Sequence, residues 1–589
     1  MRERTSSRPS GYHENESNGS YLVQEPHSRA FNPSKVRNCA LDRTFSYART
    51  VGVEYIWIDQ HSIVQDTGSC KDPVCTQHPA CIEKREGMAV MDLVYKLSSH
   101  PVGLLGRPIT SVWELKLLAH LLQGKLTSGV GSEARLSRKR SPQEVRMAVE
   151  VVHRIINDRW WRRGWTFQES YKSGTRMRLL IKHPDKLNSL KRYYWVEDKR
   201  TPYRNPIFGN VDGELCISYV DFLEEATRLC LGCLRNINSH RGPTWMLEME
   251  VTLHQILHRA GKYTYILGRS QPMTPQIVTD IDKREMEHSW DMLAVTANCC
   301  GYAVRLNAQQ LKQNNASLSL SILAQCLLNG EVLQNGHPPS RPISNLTAPQ
   351  YLKHATFSQF TNNVSQSLTF NKRCRFFDVR LSYLGIHTHG HMWNLGKVID
   401  THNWPTNGAY VRSLDGKLQP LQRKRLAYLV RWLDRYHHRD LADSVNNYLD
   451  RDTRLAGVFE GDLSFTQRCM HTMAEEIAEA IERRNKLVLG CLWDPGYHRP
   501  YMAVFVGANQ DTVPQTLAFT ASRPEDVTDE YDLNDVDRHV SFEVGVEDQN
   551  SRVPRLRIRR WLPGMCFFSG VPRKEVVFPW PNDLKGIAP

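Results

Sequence analysis

The run Val53-Glu54-Tyr55-Ile56-Trp57-Ile58, apolar, β-rich and stopped by Asp59, lies between two helical patterns, and that order limits the fold of the first part of the chain more than any other feature. Leu41, Phe45 and Ala48 recur at helical spacing before it, and Met88, Met91, Leu93, Val94 and Leu97 do so after it. Helix, buried strand, helix predicts a parallel sheet, because parallel neighbours need a crossover between them. Val102-Gly103-Leu104-Leu105 and Arg176 to Ile181 read as further strands. Between them an amphipathic helix from Glu144 to Asp158 runs into Arg159-Trp160-Trp161-Arg162-Arg163-Gly164-Trp165-Thr166-Phe167-Gln168-Glu169, the most unusual segment of the chain.

At 589 residues the chain is long enough for three or four folding units. With 40% hydrophobic and 23% charged residues it excludes a disordered, collagen-like or disulfide-scaffold protein. No apolar stretch approaches the roughly 18–20 residues of a membrane span, so none is expected. The polar start and 14 dispersed cysteines point to reduced thiols in the cytoplasm. A Gly, Ser, Lys and Arg-rich stretch, 123–143, reads as an inserted flexible loop, and its Arg138-Lys139-Arg140-Ser141-Pro142 cluster reads as solvated, the alternatives being a nuclear-import signal or a phosphorylation-gated contact. The net charge of +14 favours polyanionic partners without choosing among them.

Composition divides the chain into a disordered tail at 1–36, an α/β domain at 37–185 and a mainly helical region at 186–335, followed by a connector at 336–375 and an α+β region at 376–589. In the last region Asp494-Pro495-Gly496 marks a hairpin turn between Lys486–Trp493 and Tyr501–Gly507. Arg555-Leu556-Arg557-Ile558-Arg559 alternates with period two. Its basic face either binds nucleic acid or, the favoured reading, keeps an exposed edge soluble.

The first domain resembles the HET (heterokaryon incompatibility) domain of filamentous fungi. The likeness is carried by Tyr55-Ile56-Trp57-Ile58-Asp59 with Ile63 and Gln65, similar to W-I-D-x-x-C-I-x-Q, then by Glu83-Lys84 with Met91 and Tyr95, and by Arg163-Gly164-Trp165-Thr166-Phe167-Gln168-Glu169, similar to R-x-W-T-x-Q-E. Ser62 stands where the family usually has Cys, and the family's opening strand has no clear counterpart before Asn38. HET domains in turn look like remote relatives of Toll/interleukin-receptor (TIR) domains, with a flavodoxin-like parallel sheet. The resemblance implies a nonself-recognition and cell-death effector with protein partners, self-association through the HET domain, and NAD as a substrate with no required cofactor. The alternative of a different class is a non-enzymatic signalling or scaffold module working by association.

Cleaving a nicotinamide–ribose bond passes through an oxocarbenium-like sugar, which needs a carboxylate nearby and an apolar wall for the base. By the TIR likeness Glu169 is the catalytic carboxylate and Trp165 the wall. Asp59, at the end of its strand, and Arg162 and Arg163, as pyrophosphate ligands, bind the dinucleotide. The competing reading makes the same helix start a packing anchor with a partly buried ion pair. Cys70, Cys75, His78 and Cys81 form C-x4-C-x2-H-x2-C, four soft ligands that suit tetrahedral zinc or, alternatively, a reduced loop stiffened by proline. His387, His389 and His391 share a face if their segment is a strand, and Cys230 and Cys233 read as core.

Overall fold

The computed structural model describes residues 2–3, 21–24, 31–64, 70, 75, 77–129, 134–197, 204–239, 243–260, 274–332, 375–404, 418–454, 465–493, 500–507, 517–522, 541–547, 552–568 and 570–580. The chain divides into two compact bodies. The first holds 1–270, 280–299 and 307–314, and the second holds 271–279, 300–306 and 315–589.

The first body opens on a small antiparallel sheet of β1 (Arg2–Glu3), β2 (Tyr21–Gln24) and β3 (Phe31–Pro33). The tail expected at 1–36 therefore contains ordered backbone. Tyr21 is buried, its ring lies 5.3 Å from that of Phe45, and its hydroxyl donates to Asp42. Helix α1 (Asn38–Val51) follows and ends on Gly52, whose φ of +73° is the left-handed stop that glycine accepts without strain.

Val53 to Ile58 is not a strand. The segment is unpaired, Tyr55 is 92% exposed, and Asp59 begins the four-residue helix α2 (Asp59–Ser62). Local β-propensity was present, but a strand also needs a neighbour to hydrogen-bond, and no described residue supplies one. Helix α3 (Pro79–Leu97) then leads to β4 (Val102–Leu105).

Helix α4 (Val112–Leu122) precedes a minimal pair of strands, β5 (Thr127–Ser128) and β6 (Arg135–Leu136). The loop expected at 123–143 is thus partly built in, with Leu126 and Ala134 buried. Ser141 caps α5 (Pro142–Ile156) by accepting from the Glu144 N–H at 3.2 Å. Next come α6 (Arg159–Arg162), α7 (Gly164–Ser173) and β7 (Arg178–Lys182).

After α8 (Asn188–Lys191) and the pair β8 (Trp195–Glu197) and β9 (Arg204–Pro206), β10 (Glu214–Ser218) returns to the main sheet. The sheet order is β10-β7-β4, with β4 parallel and β10 antiparallel to β7. A boundary at 185 would cut this sheet. The crossover logic holds for β4 and β7 alone, and a flavodoxin-like parallel sheet is not found among the described residues. Helices α4, α5, α9 (Tyr219–Asn238) and α11 (Glu250–Ala260), the last reached through α10 (Thr244–Glu248), pack on one another, and Cys230 and Cys233 are buried in α9.

One side chain binds the sheet to α1. The Arg43 guanidinium donates from Nε and Nη2 to the two carboxylate oxygens of Glu214, at 2.6 and 2.9 Å. It also donates to the carbonyls of Leu105 at 2.8 Å and Leu180 at 2.9 Å, so it touches all three strands.

The second body joins a helical bundle to a large antiparallel sheet. The connector expected at 336–375 and the Asp494-Pro495-Gly496 turn lie outside the described residues, apart from Arg375. Strand β12 (Gly385–Ile399) pairs along its length with β11 (Arg380–Ser382), β13 (Leu487–Leu492), β15 (Leu517–Ala521) and β19 (Lys574–Pro579). The hairpin partner β14 (Tyr501–Val506) pairs antiparallel with β13, as the expected hairpin requires.

Strands β16 (Ser541–Val546), β17 (Leu556–Trp561) and β18 (Gly564–Cys566) extend the sheet. Phe376 stacks on Phe578 at 4.8 Å and meets Phe519 and Phe542 edge-on. Helices Pro420–Arg435, Arg439–Arg454 and Phe465–Glu482 bury their apolar faces against β13, β14 and β18.

Candidate functional site

The site is assembled where α3 packs along α7 in the first body. Asp158 prepares it. Its carboxylate accepts from three backbone N–H groups, those of Trp160 at 2.9 Å, Gly106 at 2.7 Å and Arg107 at 2.8 Å, and so joins the end of β4 to α6. Trp161 is buried and stacks on Tyr219 at 5.5 Å. The Gln168 side chain, fully buried, accepts from Asn298 at 3.0 Å. Much of the Trp and Gln content of this segment is therefore packing.

What remains turned inward is a carboxylate with a tyrosine. Glu169 is partly buried on α7, and the Tyr95 hydroxyl from α3 hydrogen-bonds its carboxylate. Trp57 meets the Tyr95 ring edge-on at 5.3 Å. Burial raises the Glu169 pKa to about 7, the nearby negative charge of Asp59 adds to the rise, and Arg163 and the Tyr95 hydrogen bond oppose it. Burial, then the charges of Glu169 and Asp59, hold the Tyr95 hydroxyl well above the usual phenol range. Lys172 and Asp92, 3.9 Å apart, form a second, largely buried clasp between the same two helices.

The five sequence candidates, and Ser62 beside them, stand as follows. Asp59 and Glu169 converge, although Asp59 reaches the site from the start of α2 and not from the tip of a parallel strand. Its Oδ1 also accepts from the Gln60 N–H at 2.7 Å. Arg163 acts on Glu169 by charge, whereas Arg162 points to Glu285, 3.8 Å away. Trp165 does not present a free indole, because its Nε1–H donates to Asp291 at 3.1 Å. Ser62 closes the α2 turn by accepting from the Ile58 N–H at 3.3 Å, a local role for which a hydroxyl suffices.

Residues 16–169 match the family model described as heterokaryon incompatibility protein (HET). That segment, about a quarter of the chain, is linked by the match to heterokaryon incompatibility. The HET segment begins well before Asn38 and takes in β2 and β3, where no opening strand was legible. No curated protein and no solved structure matches the chain. No described helix is long and apolar enough to cross a membrane.

Two site residues escaped the sequence reading. Tyr95 was legible as part of the HET pattern but not as the partner of Glu169, and Asp291 had no local signal. Elsewhere, Cys70, Cys75, His78 and Cys81 bring one ligand atom each to within 4.8 Å of one another. The three histidines do lie on one face of β12, but no metal-like group forms there among the described residues. His387 is held by Glu575 at 2.9 Å and Ser382 at 2.8 Å, and His391 lies 4.3 Å from the Phe568 ring. Arg557 and Arg559, exposed on β17, pair with Glu547 and Glu543, so carboxylates offset that basic face.

The Glu169 environment has a consequence for stability. Its folded pKa of about 7 lies above the ordinary 4.5, so the folded chain holds the proton more tightly than the unfolded one. Stability from this group is fully present below about pH 4.5 and is lost as pH rises through 7. Relative to the parent, Glu169→Gln should therefore gain stability across that window, with the difference reaching a plateau above pH 7. Urea midpoints from pH 4.5 to 8 check it, and a constant difference would refute the assigned environment.

Proposed function

We propose that the HET segment is a nonself-recognition effector that hydrolyses the nicotinamide–ribose bond of NAD. Glu169 stabilises the cationic ribose, while Asp59 and Arg163 orient the dinucleotide. The observation that carries this reading is the convergence of Asp59, Tyr95 and Arg163 on the Glu169 carboxyl, which burial pushes up to about 7. As the C1′–N bond breaks, its electron pair leaves with the ring, which departs as neutral nicotinamide. Water adds to C1′ and yields ADP-ribose and a proton. A carboxylate beside C1′ favours the cation formed between these events.

The parallel pair β4 and β7 supports a TIR-like ancestry for the scaffold, and the antiparallel β10 and unpaired 53–58 speak against a close one. A second reading, a non-enzymatic association module, has its own support. Trp165 is engaged by Asp291, and Tyr55 and Leu97 of the HET segment are 92% and 75% exposed.

Purified full-length protein incubated with NAD decides between them. Release of nicotinamide with ADP-ribose supports hydrolysis. No release, together with concentration-dependent self-association in sedimentation, supports the module.

A further inference from the structure

We propose that Cys70, Cys75, His78 and Cys81 form a structural zinc site that anchors the start of α3. The proposal is independent of NAD cleavage and rests on where the backbone brings four soft ligands. His78 is the residue preceding α3, and Cys81 is three residues further on, in its first turn. Positions related in this way at a helix start face one another, as the reciprocal contacts of a capping box show. Pro79, at the first helical position, fixes the backbone between them.

Cys75 approaches from the other side, three residues before His78. Its sulfur accepts from the His78 backbone N–H at 3.3 Å, and its carbonyl accepts from Arg85 at 3.2 Å, so a later turn of α3 also holds Cys75. Cys70 completes the set.

The geometry is close to what the ion requires. With zinc–sulfur bonds of about 2.3 Å and zinc–nitrogen bonds of about 2.0–2.1 Å, the edges of a Cys3His tetrahedron measure roughly 3.5–3.8 Å. The four ligand atoms already lie within 4.8 Å of one another, so contraction by about an ångström or so closes the shell. Three thiolates and one neutral imidazole around a divalent ion carry a net charge of −1. A helix of 19 residues presents its positive end to that charge. Binding would release the protons of those thiols that are not already ionised. The chain from α2 to α3 joins Asp59 to Tyr95, so an ion here would fix the start of the helix that carries Tyr95.

Full-length protein purified without chelators should contain about one zinc per chain by elemental analysis. Removal of the metal and refilling with cobalt(II) should give the visible absorption of tetrahedral, thiolate-bound cobalt, saturating at one equivalent. Cys75→Ser and His78→Ala should each weaken zinc binding by at least tenfold in competition with a chromogenic chelator. Cys39→Ser, outside the cluster, should leave it unchanged. If a ligand variant does not fold, the metal content and cobalt spectrum of the parent still decide the matter. Zinc near zero in the parent overturns the proposal, as does an octahedral cobalt spectrum without thiolate bands, or thiols found oxidised in pairs in place of metal.

Discussion

Glu169→Gln should lower NAD turnover by about 10²–10⁴-fold, the usual range for loss of a positioned acid–base or charge-stabilising group. Glutamine keeps the shape and accepts the Tyr95 hydrogen bond, so the loss reports charge at the ribose and not the collapse of α3 against α7. The parent rate should rise with pH through about 7, as the carboxyl ionises, and the residual rate of the variant should lack that rise. Stability moves the opposite way in the same interval, because an ionised carboxylate is costly in a buried site beside Asp59. A variant as fast as the parent removes Glu169 from the chemistry. A slow variant that keeps the parent's pH profile removes it from the profile and leaves it a positioning role.

The second large effect concerns Arg43→Ala, which should destabilise the first body by about 3–5 kcal/mol. Both partners are nearly enclosed, with 11% of the Arg43 side chain and 5% of the Glu214 side chain exposed. Removing the guanidinium strands a buried carboxylate and leaves the Leu105 and Leu180 carbonyls without that donor. Burial already pushes the Glu214 carboxyl up in spite of Arg43, so in the variant it takes up a proton more readily. Urea unfolding of the parent, Arg43→Ala, Glu214→Ala and the double variant measures the effect. The double variant should lose less than the sum of the singles, and strict additivity would show that the pair is not coupled.

What the sequence made legible follows from how far each interaction reaches along the chain. Helix α5, with its Ser141 cap and apolar stripe, and strands β4 and β7, with short apolar runs, are specified by near neighbours. Val53 to Ile58 carried the same local signal as those strands, but strand formation depends on a partner that local composition does not encode. The return of β10 onto β7 spans another pair of strands and a short helix, so no window around residue 185 could reveal it. The candidate site divides in the same manner. Glu169 and Asp59 were found through a motif, whereas the bond from Trp165 to Asp291 joins residues 126 positions apart and changes the meaning of the indole.

The order β10-β7-β4 sets a practical limit on dissection of the chain. A fragment ending at 169, where the family match stops, would carry β4 but neither of the two strands that complete its sheet, and Arg43 would face empty solvent where Glu214 and Leu180 should be. Such a truncated product would expose raw backbone amides and invite clumping, so its silence in an assay would say nothing about the intact molecule. The smallest autonomous piece worth expressing has to run beyond Ser218.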